Sequence, residues 1–175
     1  MYLNRTMKSC WIEAGEQFPV LLLTGPRQVG KTTLLQHLCG KQRRYVTLDD
    51  PTLRSLTIED PGLFLQRFEP PVLIDEIQYA LRLLPRIKMA VDRQRTRGLF
   101  WLTGSQPFHR IKGISETLAG RVAIRCLPGF SSRERRRGEL SLPPCLPTAE
   151  VLEGREPCSR TKNDTTGFDD RWPWR

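Results

Sequence analysis

The chain of 175 residues contains no uninterrupted apolar run approaching the roughly 18 residues that a membrane-crossing helix needs. Its opening, Met1-Tyr2-Leu3-Asn4-Arg5, lacks the apolar core of a secretory leader. These two absences predict a soluble, cytoplasmic protein with no membrane partner. Histidine is scarce, limited to His37 and His109. The five cysteines (Cys10, Cys39, Cys126, Cys145, Cys158) are odd in number, widely spaced and without a C-x-x-C pair, which speaks against a structural zinc site or a disulfide framework. There is no internal repeat. The length fits one domain with room for a sizeable core.

Acidic residues are in deficit, with a formal net charge of +9. The imbalance is uneven: residues 1–127 carry 19 Lys and Arg against 11 Asp and Glu, and residues 128–175 carry 9 against 8. Clusters such as Lys41-Gln42-Arg43-Arg44 and Arg93-Gln94-Arg95-Thr96-Arg97 are compatible with nucleic-acid binding through phosphate neutralisation. They also stand at the ends of predicted helices, where cations suit the negative pole of the macrodipole.

What the sequence does contain is Gly25-Pro26-Arg27-Gln28-Val29-Gly30-Lys31-Thr32, between the apolar run Pro19–Thr24 and the helical stretch that begins at Thr33. Strand, glycine loop and helix in that order form the Walker A phosphate-binding loop. The glycines let successive backbone N–H groups turn toward one anion, and the following helix adds its positive end. Lys31 is expected to reach the terminal phosphates of a nucleoside triphosphate and Thr32 to offer its hydroxyl to Mg²⁺. Residues Gly25 to Thr33 form the predicted nucleotide cradle, closed by Thr33.

Around this motif the pattern alternates. A helical stripe of Leu3, Met7, Cys10, Trp11 and Ala14 ends at Gly15. Strands are expected at 18–24, 45–49, 71–76, 99–103 and 122–127. Helices are expected at 31–39, in one or two pieces over 50–68 opened by Asp50-Pro51 and Asp60-Pro61, at 83–95, and between Pro107 and Ala119. Strands alternating with helices predict an α/β fold, three layers deep, around a mainly parallel five-stranded sheet. From Pro128 the texture becomes proline-rich and aperiodic. The predicted division is an ordered domain at 1–127 and a disordered or loosely packed tail at 128–175.

The third strand, Pro71-Val72-Leu73-Ile74-Asp75-Glu76, is apolar without alternation and ends in two acids. Asp75 is the candidate to steady Mg²⁺ and Glu76 the candidate general base for an attacking water. Asp49 and Asp50 also follow a strand, but that strand comes directly after the P-loop helix, and Asp50 suits a helix cap before proline. At the end of the fourth strand, Thr103 or Ser105 stands where a ligand at the carboxyl end of a parallel sheet gathers polar contacts. Arg121, ahead of the fifth strand, is a candidate arginine finger for a neighbouring subunit's nucleotide.

The runs GPRQVGKTTLL, YVTLDDP, VLIDEIQYA, LTGSQPF and LAGRV resemble, in that order, the ATPase domain of a bacterial and archaeal AAA-type family whose P-loop domain is followed by a second domain of unknown function. The resemblance covers residues 1–127. It implies binding of ATP with Mg²⁺ and hydrolysis, through Lys31, Thr32, Asp75, Glu76 and Ser105, with Arg121 as the family's conspicuous arginine; a homo-oligomer is expected if Arg121 acts in trans. Family members are longer, and the stretch from Pro128 does not resemble their second domain, so the chain is expected to be C-terminally truncated or read out of frame there. Other readings stand beside this one: a nucleotide-binding remnant that does not hydrolyse, a nucleic-acid-binding module, a small-molecule kinase, and a GTPase. The GTPase reading rests on Thr161-Lys162-Asn163-Asp164, which lies in the tail with no apolar strand before it.

Overall fold

A computed structural model describes residues 2–40, 43–105 and 116–135. Five strands, β1 (Val20–Thr24), β2 (Arg44–Thr47), β3 (Val72–Asp75), β4 (Phe100–Thr103) and β5 (Val122–Cys126), form one sheet in the order β2-β3-β4-β1-β5. Every pairing is parallel, as the alternation of strands with helices requires.

The side chains of the central strands divide between the two faces at every second residue. Val20, Leu22, Val72, Ile74, Phe100 and Leu102 enter one core, covered by α3 (Pro51–Glu59), α4 (Pro61–Arg67) and α5 (Leu83–Gln94). Leu21, Leu23, Leu73, Trp101 and Ala123 enter the other, covered by α1 (Met7–Gln17) and α2 (Lys31–Cys39). These two cores make the fold a three-layer α/β/α sandwich. They also explain the lack of alternation in β1, β3 and β4, in which every residue is buried. Among the described residues no helix is long and apolar enough to cross a membrane.

Local chemistry sets the element ends. Asp50 and Asp60 accept hydrogen bonds from the backbone N–H groups of Thr52 (2.8 Å) and Leu63 (2.9 Å), capping α3 and α4, each of which has proline in its first turn. Helix α1 departs from the sequence expectation by starting at Met7 rather than Leu3 and running through Gly15 to Gln17. It stops at Phe18 because the residue before a proline is driven to extended backbone, and Phe18 has φ −116° and ψ 139°. Its Trp11 is fully buried, edge-on to Trp101 with ring centroids 5.5 Å apart. The helix expected between Pro107 and Ala119 lies largely outside the described residues, as does the tail from residue 136.

Described structure continues past Leu127. Residues 132–135 form α6 (Ser132–Arg135), whose Glu134 is 5% exposed and pairs with the equally buried Arg5 at 3.2 Å.

Candidate functional site

In an all-parallel sheet the carboxyl ends of the strands lie on one edge, and here that edge brings together the loop after β1, the acids after β3 and the polar end of β4. Between them is a cleft of about 430 Å³. Arg27, Gln28, Gly30, Lys31, Thr32 and Thr33 of the loop and α2 line it, together with Asp49, Glu76 and Tyr79.

The loop owes its shape to backbone that glycine tolerates best. Gly30 has φ 86° at the N-cap of α2, and Gly25 has φ 142°. A Cβ at Gly25 would run into the Leu127 carbonyl oxygen. Gln28 adopts φ 63° without being glycine, a conformation concentrated at functional loops. Lys31 is 6% exposed, and its Nζ donates to the carbonyls of Gly25 (3.0 Å) and Pro26 (2.7 Å). Burial pulls its ammonium below the ordinary range, opposed by the charges of Glu76 and Asp75.

Asp75 is the point where the elements meet. Thr32 Oγ1 donates to its two carboxylate oxygens at 3.0 and 3.1 Å, joining the P-loop helix to β3. Thr103 Oγ1 also donates to Asp75 and accepts the backbone N–H of Glu76 at 3.1 Å. Tyr45 completes the set with a hydrogen bond of 3.1 Å from its hydroxyl. Burial, and then the neighbouring Asp75 charge, push the Tyr45 phenol up to about 12.

Glu76 has φ 60°, which turns the chain sharply after β3. Its carboxylate accepts from Gln78 Nε2, which also donates to Ser105 Oγ at 3.1 Å. Ser105 therefore reaches Glu76 through Gln78. Of the two acids weighed against Asp75, Asp50 caps α3, while Asp49 lines the cleft.

Arg121 stands elsewhere. It precedes β5, at the amino edge of the sheet, where its carbonyl accepts from Val20 N–H. Its guanidinium pairs with Asp92 at 2.6 and 3.2 Å. It has no part in this chain's own cleft, so any contact with a nucleotide must be with that of another copy.

Sequence reasoning passed over two contributors, Gln78 and Tyr45. Gln78 sits in the turn after the acids, where only proximity to Glu76 pointed to it. Tyr45 had a readable signal, since it shares a face of β2 with Thr47, which lies opposite Asp75 in register. Thr103 had been set beside Ser105 as an alternative for contact with the ligand, but its hydroxyl is buried and organises the acids instead.

Known proteins are similar to this chain. A family model described as an AAA domain matches residues 17–135. Uncharacterized proteins of Mycobacterium bovis and Mycobacterium tuberculosis are each 38% identical over 117 residues, covering 66% of this chain and 26% of theirs. The chain thus spans about a quarter of the length of these curated relatives. Among solved structures, the Walker-type ATPase PABY2304 of Pyrococcus abyssi has the same fold with a TM-score of 0.52 at 19% identity, over 76% of this chain and 55% of that one. With the family model spanning both the loop around Lys31 and the acids after β3, this chain belongs to the AAA-type P-loop ATPase family and is a nucleotide-binding, ATPase-like domain.

Proposed function

We propose that the chain binds ATP with Mg²⁺ in the cleft between α2 and β3 and hydrolyses its terminal phosphate. The observation that carries the proposal is the contact between the Thr32 hydroxyl and the Asp75 carboxylate at 3.0 and 3.1 Å. Those groups offer only oxygen donors, which suit a small hard cation. Among the described residues no three His, Cys, Asp or Glu side chains cluster as a complete metal site. A donor set this sparse fits an ion that takes its remaining ligands from phosphate and water. When bound there, Mg²⁺ would supply positive charge to offset that of the phosphates.

The chain's own residues would do the rest. The amides of residues 27–33 cradle the phosphates, and Lys31 exchanges its two carbonyl partners for phosphate oxygens. Glu76 accepts a proton from the attacking water, its backbone N–H fixed by Thr103. Arg121 serves a second copy of the chain, which makes a homo-oligomer the active form.

Phosphate release is the measurement. Glu76→Gln should abolish turnover and leave ATP affinity near that of the parent, whereas Lys31→Ala should weaken binding itself. Equal turnover in Glu76→Gln and parent would remove Glu76 from the mechanism. Equal binding of fluorescent ATP by Lys31→Ala and parent would remove the cleft from it.

Binding without hydrolysis is the second reading, and one observation favours it: the Glu76 carboxylate is already engaged by Gln78. A parent chain that binds ATP but releases no phosphate, with Gln78→Ala gaining turnover, would decide for it.

A further inference from the structure

Behind the phosphate loop, away from the cleft, lies a buried charge cluster that the catalytic reading does not use. Arg5 is 4% exposed, far more buried than an arginine ahead of the first helix would be without partners. Its guanidinium holds two segments distant in sequence, the phosphate loop and the stretch after β5. Nε pairs with Glu134 at 3.2 Å, one terminal nitrogen donates to the Val29 carbonyl at 2.9 Å, and the other donates to the Pro128 carbonyl at 2.6 Å. Glu134 is held in turn by the Thr6 backbone N–H (2.8 Å), the Thr6 hydroxyl (3.0 Å) and the Ser131 backbone N–H (2.9 Å). The ring of Phe130 lies 4.1 Å from the Arg5 guanidinium carbon.

Val29 is part of the phosphate loop, and its carbonyl is bonded through one rigid plane to the N–H of Gly30. In a trans peptide these two groups point in opposite directions. A carbonyl drawn back onto Arg5 therefore turns the Gly30 N–H away from Arg5, toward the cleft that Gly30 lines. Gly30 has no side chain to bias this plane, and its φ of 86° belongs to a residue that could adopt several others. Some outside contact has to select the orientation, and a charge-assisted bond from a buried, doubly anchored guanidinium is suited to do so.

We propose that Arg5 is a positioning residue for nucleotide binding: held by Glu134, it fixes the Val29–Gly30 peptide plane so that the Gly30 amide is set to receive a phosphate oxygen. The inference rests on the reading of the cleft as a triphosphate site. It assigns to the arm ahead of α1 and to the segment after β5 a task beyond packing.

The test separates positioning from stapling within the same cluster. Arg5→Lys keeps the charge but loses the fork that serves Glu134, Val29 and Pro128 together. Thr6→Ala removes a hydroxyl bond to Glu134 without touching the loop. Affinity for fluorescent ATP in the presence of Mg²⁺, melting temperature without nucleotide, and the ¹⁵N–¹H shift of the Gly30 amide are measured for both variants and the parent. Arg5→Lys should bind about tenfold more weakly, the worth of one charge-assisted hydrogen bond, and should move the Gly30 amide. Thr6→Ala should lower the melting temperature while leaving both affinity and amide shift at parent values. Glu134→Gln, which loosens the anchor yet leaves the Val29 bond, should fall between them and carries the test if Arg5→Lys fails to fold. Unchanged affinity and an unmoved Gly30 amide in Arg5→Lys would overturn the inference, as would equal loss of affinity in Thr6→Ala. A parent that binds no ATP would instead overturn the triphosphate reading, and the amide shift would still report whether Arg5 sets the plane.

Discussion

Thr103 shows how one side chain of modest size can organise two charged ones. Its hydroxyl donates to Asp75 and accepts from Glu76 N–H, and it is fully buried. Thr103→Val preserves shape but leaves the Glu76 N–H without its partner and deprives Asp75 of a donor. Unpaired buried groups of this kind cost about 1–3 kcal/mol, so denaturant titration should show a loss in that range, while Thr103→Ser should recover most of it. Tyr45 offers a pH test at the same scale. Its phenol is raised from 10.0 to about 12, so the folded state holds that proton more tightly than the unfolded chain. The stabilisation is complete below pH 10 and is lost as pH rises from there toward 12. Alkaline unfolding curves of the parent should fall through that window, and Tyr45→Phe should remove this part of the slope.

At the scale of elements, the loop after β1 is constrained where it leaves the strand. The Leu127 backbone closes on Gly25 at one end, and its N–H donates to the Thr24 carbonyl at 2.8 Å. Gly25→Ala would combine an unfavourable φ with a backbone clash, each costing roughly 1–3 kcal/mol. Each kcal/mol shifts the midpoint of a domain of this size by about 4 °C, so thermal unfolding should show a drop of roughly 8 °C or more.

Much at this scale was legible beforehand. The apolar runs at 20–24 and 72–75, the Asp-Pro openings and the glycine loop each specify their element through local chemistry, because burial on both faces, caps and positive φ leave direct traces in residue type. β4 lies between β1 and β3, and Asp75 at the end of β3 is the acid that the Thr32 hydroxyl meets. What escaped were contacts joining residues far apart in the chain. Arg5 and Glu134 lie 129 positions apart, and no periodicity links them. The start of α1 was misjudged because Leu3 continues its stripe in register, whereas the tertiary bonds of Arg5 and Thr6 hold that stretch out of the helix.

For the whole molecule, the excess of positive charge proves partly structural. Arg43 is held among carbonyls, donating to those of Gly98 at 2.6 Å and Leu99 at 3.1 Å and lying 4.1 Å from the Trp101 ring, and burial lowers its pKa to about 10. Arg54 donates to Leu48 and stacks on Tyr79, and Arg97 donates to Glu16. Cations committed in this way contribute less to an open basic surface, which weakens the argument from net charge to nucleic acid. Arg121 is different because of where the parallel sheet puts it. The five residues of β5 separate it from the cleft edge by about 16 Å at 3.3 Å per residue, beyond the reach of its side chain. If it stabilises transferred phosphate, it does so for another copy, and the activity must then be shared between chains. Glu76→Gln should be inactive because its own cleft lacks the base, and Arg121→Ala because it gives its neighbour no finger. Mixed together, they should recover phosphate release: wherever a Glu76→Gln chain presents its intact Arg121 to the intact cleft of an Arg121→Ala chain, one complete site is rebuilt. A mixture as inactive as its two components would show that Arg121 serves no neighbouring site and is held by Asp92 only to fasten α5 to the start of β5.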